Sequence, residues 1–124
     1  MSKGTPEKKP WGTTRREKRY QRICEKLGWN VHDYGDGTVE IRQYSPAGED
    51  FFFTVDRKNF VDDVKFYYDN FDVDEHIEMW VKARDCGVSG IPSVRRLVID
   101  AEEIDNMLQV LAYALGEQRK ITTH

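Results

Sequence analysis

The sequence predicts an α+β fold: a three-stranded antiparallel sheet (meander) preceded by one basic helix and followed by three or four helices packed on one face. Three observations carry that expectation. Apolar residues recur at three- and four-residue intervals between 13 and 28 and again between 59 and 115. Between 29 and 55 they alternate with polar ones, the period of a strand. Glycine- and proline-bearing turns separate the two regimes. The 124 residues suit one compact domain. The expected organisation is a basic N-terminal tail and helix over 1–28, a single compact α+β domain over 29–118 and a tail over 119–124.

Met1 to Trp11, with two prolines, a glycine and three lysines, offers little to bury and reads as a mobile tail. Thr13 or Thr14 is placed to cap a helix whose apolar positions are Tyr20, Ile23, Cys24 and Leu27, with Gly28 as its stop. Trp29, Val31 and Asp33 then alternate with Asn30, His32 and Tyr34. The turn Gly35-Asp36-Gly37 leads into Thr38 to Tyr44, with Val39 and Ile41 on one face. After a second turn, Ser45 to Gly48, Phe51, Phe53 and Val55 point one way while Phe52 and Thr54 point the other.

Asn59 is expected to cap a helix with Phe60, Val64, Tyr67, Tyr68 and Phe71 as its apolar side and Asp62, Asp63 and Asp69 turned outward. Asp72 and Glu75 have the capping-box spacing ahead of Ile77, Trp80 and Val81. Gly87 to Gly90 breaks that helix. Ser93 starts another turn or two, Asp100 and Glu103 repeat the capping-box spacing, and Ala101, Ile104, Leu108, Leu111 and Leu115 run on until Gly116. The pattern over Ser93 to Leu115 admits one helix or two abutting ones.

Composition narrows the function classes. With 19 Lys and Arg against 22 Asp and Glu, the net charge is −3, which fits neither a polybasic nucleic-acid binder nor an acidic tail. The charge is nevertheless divided: residues 1–28 hold nine bases and three acids, and the rest holds ten bases and nineteen acids. No stretch is apolar enough to span a membrane, and the basic opening residues lack the apolar run of a secretory signal. Cys24 and Cys86 have no metal-ligand or redox spacing, so reduced thiols and a cytoplasmic setting are expected.

Two charged constellations stand out. Asp62, Asp63, Asp69, Asp72, Asp74, Glu75 and Glu78 make an acidic band offset only by Lys65. It reads as a solvated face or as a partner-binding surface that imitates the charge of a nucleic-acid backbone. Arg15, Arg16, Lys18, Arg19 and Arg22 make a basic helix suited to phosphates or an acidic partner, with Tyr20 or Trp11 beside it to stack on an unpaired base. Asp72, Asp74, Glu75 and His76 together resemble a hard-metal or acid–base cluster, and a metal-dependent hydrolase would be built there. On a helix, however, these side chains diverge, and acids in a first turn are explained by free N–H groups and the helix dipole. No catalytic nucleophile, phosphate cradle, metal site or cofactor is expected: the serines lack a nucleophile elbow and the three histidines are scattered.

Three stretches carry a resemblance: Val39 to Phe51 (VEIRQYSPAGEDF), Phe71 to Trp80 (FDVDEHIEMW) and Val88 to Val94 (VSGIPSV). They resemble small proteins of conjugative elements, plasmids and phages of Firmicutes, a pool from which anti-CRISPR inhibitors of Cas9 come, and the likeness covers residues 29–115. The resemblance implies an inhibitor in a bacterial host cell that blocks a Cas9 effector stoichiometrically, with the effector, and its guide RNA, as partners. No catalytic role follows from it. The alternative is a DNA- or RNA-binding accessory protein of a mobile element that uses the basic N-terminal helix directly.

Overall fold

A computed structural model describes residues 9–46, 48–84 and 94–122. The expectations for Met1 to Lys8, Cys86, the Gly87–Gly90 break and the Ser93 cap lie outside the described residues, as do the side chains of Trp80 and Val81. Helix α1 (Arg15–Lys26) is followed by strands β1 (Asn30–Asp33), β2 (Thr38–Tyr44) and β3 (Asp50–Asp56), and then by helices α2 (Phe60–Asp69), α3 (Val73–Arg84) and α4 (Val94–Thr122). The three strands form one antiparallel meander in the order β1-β2-β3.

Local chemistry explains each boundary. The Thr14 hydroxyl accepts a hydrogen bond from the Glu17 N–H and closes the start of α1. Gly28, at φ +87°, turns the chain out of that helix in the left-handed region that side chains avoid. Trp29 is thereby dropped into the core, where its ring meets Phe51 and Phe53 edge-on. Val39 pairs with Val55 and Ile41 with Phe53, so one sheet face is continuously apolar.

Onto that face pack Cys24 of α1, Phe60, Val61 and Val64 of α2, and Ile104, Leu108, Leu111, Ala112 and Leu115 of α4. Burial of these side chains is the main stabilising term, about 1.5–3 kcal/mol for each large one. Helix α1 therefore shares the core of the sheet and the later helices. Helix α4 is the common neighbour, meeting α1, α2 and α3.

Several expectations need correction. Asn59 occupies the cap position of α2 but makes no side-chain cap bond, because its backbone (φ −111°, ψ 33°) is not extended. Carboxylates hold the loop ahead of the helix, not its first N–H groups: Asp56 accepts from the Lys58 N–H, and Asp63 accepts from the Asp56 N–H. The second capping-box spacing is not a boundary, since Asp100 and Glu103 lie inside the single helix α4. An acid three residues before another recurs by chance in any helix, whereas the Leu97-Ala101-Ile104-Leu108-Leu111-Leu115 stripe is unbroken and buried. Gly116 does not end α4 either. A glycine inside a helix costs about 1 kcal/mol against alanine, less than the packing of the turns before it supplies. Trp11 belongs to the fold, not to a mobile tail: its ring lies 4.8 Å from Phe60.

Candidate functional site

Helix α1 presents two opposite faces. Cys24, Tyr20, Ile23 and Leu27 turn toward the core. At 100° per residue, Arg15, Lys18, Arg19, Arg22 and Lys26 fall on the opposite side as one stripe about 16 Å long, whereas Arg16 projects from the flank that carries Ile23 and Leu27. Arg15, Arg16, Lys18, Arg22 and Lys26 are exposed and Arg19 is half-buried. Among the described residues none of them makes an ion pair. No acid of the band pairs with this helix among the described residues. Its field is directed at solvent.

The seven acids of the band are divided. Asp62, Asp63 and Asp69 are on α2, Asp74, Glu75 and Glu78 on α3, and Asp72 at its start; α2 and α3 each pack on α4. Asp63 accepts from the Asp56 N–H, Asp69 pairs with Lys65 at 2.9 Å, and Asp72 accepts from the Glu75 N–H at 3.1 Å, which is the expected cap. Asp74, Glu75 and Glu78 remain as an exposed stripe on the side of α3 away from Val73, His76 and Ile77.

The same geometry disperses the hydrolase cluster. His76 is half-buried against Phe51 and Phe71, ring centroids 5.8 and 5.3 Å away, while Asp74 and Glu75 face solvent and Asp72 is used as a cap. Burial lowers the pKa of His76, partly offset by Asp100. Among the described residues no three of His, Cys, Asp and Glu are arranged to hold a metal ion. Trp11 and Tyr20 are not free to stack on a base: both lie against Phe60, Tyr20 nearly parallel at 5.3 Å, and the Trp11 indole N–H donates to Gln21 at 2.6 Å.

Two features were not anticipated from the sequence. The first is a clasp around Arg57, in the loop after β3. Its guanidinium donates to both oxygens of Glu17 (2.7 and 2.9 Å), to Asp33 (3.2 Å) and to the Pro10 carbonyl (3.1 Å). Asp33 and Glu17 also accept from the N–H groups of Trp11 and Gly12. Burial alone would raise the pKa of Glu17, but the bonds from Arg57, Gly12 and Thr14 together hold it below the ordinary carboxylate value. The clasp orients α1, and with it the basic stripe. Its residues are far apart in sequence, so no local pattern signals it.

The second is the outer face of the sheet. Tyr34, Tyr44 and Phe52 are 46%, 68% and 50% exposed there. Glu40, buried in the middle of that face, accepts from the Tyr34 hydroxyl and from Arg42 Nε (2.7 Å), and Arg42 also pairs with Asp50. Arg42 and then Tyr34 depress the Glu40 pKa, and Glu40 raises that of Tyr34. Alternation had already put Phe52 on the side away from the core, and the same count extended to Tyr34 and Tyr44 finds this face.

Compared with known proteins, the chain matches no family model, no curated protein and no solved structure. No helix among the described residues is long and apolar enough to cross a membrane.

Proposed function

We propose that this chain is a non-catalytic inhibitor of the anti-CRISPR kind, carried by a mobile element and acting in the cytoplasm of a bacterial host cell. It binds a Cas9-type effector stoichiometrically and occupies a surface that serves guide RNA or target nucleic acid. The observation that carries the reading is the basic stripe of α1: its side chains, exposed except for half-buried Arg19, make no ion pair among the described residues, on a helix anchored by the core and by the Arg57 clasp. Such a rigid array loses little freedom on meeting phosphates. The acidic stripe Asp74, Glu75 and Glu78 offers the basic channel of the effector a second point of contact.

The test is co-purification with type II effectors, with and without guide RNA, followed by a DNA-cleavage assay. The expected result is a one-to-one complex, inhibited cleavage, and loss of both in the triple variant R15E/R19E/R22E. Absence of binding and of inhibition across several type II effectors overturns the proposal.

The same unpaired stripe supports a second reading, direct DNA or RNA binding as an accessory protein of element transfer. Binding to naked nucleic acid in the absence of any effector, abolished by that triple variant, favours it over inhibition.

A further inference from the structure

The core lies on one side of the sheet, against α1, α2 and α4. On the other side Asn30, His32, Tyr44, Asp50, Phe52, Thr54 and Asp56 are all exposed, and none of the described elements covers them. We propose that this outer face is a docking surface for a cationic segment of a partner protein, one bearing arginine or lysine. The proposal is independent of the nucleic-acid role of α1.

Charge selects the partner class. Among the described residues, Asp36, Glu40, Asp50 and Asp56 lie on or at the rim of the face against two cations, Arg42 on the face and Lys58 beside Asp56, so carboxylates are in excess. A phosphate backbone brought here would meet an excess of carboxylates, so the exposed aromatics do not serve as a platform for nucleic-acid bases. A cation meets the opposite situation: ring faces with negative quadrupoles among carboxylates.

The face already shows how it holds such a group. Arg42 places its guanidinium carbon 4.4 Å from the centre of the Phe52 ring while Glu40 and Asp50 take its N–H groups. One cation is thus seated by a ring and two acids within the chain itself. Tyr44, opposite Asp50 in the register, is the most exposed aromatic of the face and sets a second ring beside the carboxylate that Arg42 engages. Tyr34 is held in place by its bond to Glu40 and by His32, whose ring packs edge-on against it at 5.3 Å. A flat surface with fixed rings asks little reordering of its own side chains on binding.

The experiment titrates the full chain with an oligoarginine peptide and, separately, with oligo-dT, following backbone amides by NMR and affinity by fluorescence anisotropy. Peptide-induced shifts are expected on the outer-face residues of β2 and β3. Affinity should fall roughly tenfold in Y44T/F52T, two exposed changes that keep strand propensity, and change less than about twofold in D74N/E75Q/E78Q. The shift map of the unaltered protein locates the site even where a variant folds poorly. The proposal is overturned if the α3 variant takes the loss, if oligo-dT shifts the same amides and displaces the peptide, or if sedimentation shows a second copy closing the face.

Discussion

Arg57 and Glu17, forty positions apart in sequence, meet through two parallel hydrogen bonds of 2.7 and 2.9 Å with side chains only 13% and 12% exposed. A bidentate pair this sheltered is the kind whose halves are costly to separate. We expect Arg57→Leu to lower unfolding free energy by about 3 kcal/mol in urea titrations and to red-shift the fluorescence of Trp11, whose ring lies under the same guanidinium. Arg57→Lys should recover only part of the loss, because an ammonium cannot span both oxygens. Loss of less than about 0.5 kcal/mol would place the pair with ordinary surface bridges.

Glu17 also sets an acid limb. Its pKa is lowered in the fold, so its stabilising contribution is complete above the ordinary value of 4.5 and disappears as pH falls through the lower folded value. Melting temperature measured between pH 5 and 3 should fall less steeply in Glu17→Gln, although that variant starts from a lower value.

His76 acts at a milder pH. Burial against Phe51 and Phe71 depresses its pKa below 6.5, with Asp100 of α4 opposing in part, so the neutral ring is the form the fold prefers. Stability from this position is full above pH 6.5 and is lost as pH drops through the folded pKa. Replacement by Gln should flatten the stability profile between pH 6.5 and 5; an unchanged slope contradicts this assignment.

The Cys24 thiol is fully buried, and burial pushes its pKa up to about 12. In a C86S background, a thiol reagent at pH 8 should label the protein only at the rate of unfolding, and at once in denaturant.

Gly28 carries a positive φ, and a Cβ there would come within 3.0 Å of the Gln43 amide oxygen. Gly28→Ala should therefore cost about 1–2 kcal/mol, read as a lower urea midpoint at unchanged m-value.

Much of this architecture was legible in the sequence because it rests on local signals. Thr14, Gly28 and Asp72 act through neighbours within four residues, and the alternation of Phe51, Phe53 and Val55 needs only the period of the strand. What escaped is non-local. Nothing near Arg57 announces Glu17 or Asp33 as its partners, and nothing near Trp11 announces Phe60. Asp100 misled for the converse reason: its spacing imitates a cap, and only the unbroken buried stripe on either side reveals a helix interior. The acidic residues formed a single run in one dimension and became two groups once α2 and α3 were placed separately against α4.

Helix α4 touches α1 as well as α2 and α3. Until α4 is made, the apolar side of α1 rests only on β1 and on Phe60 of α2, and the inner face of the sheet is covered by α1 and α2 alone. A nascent chain stopped before Leu97 would leave the part of that face taken by Ile104, Leu108, Leu111 and Leu115 open to proteases and chaperones.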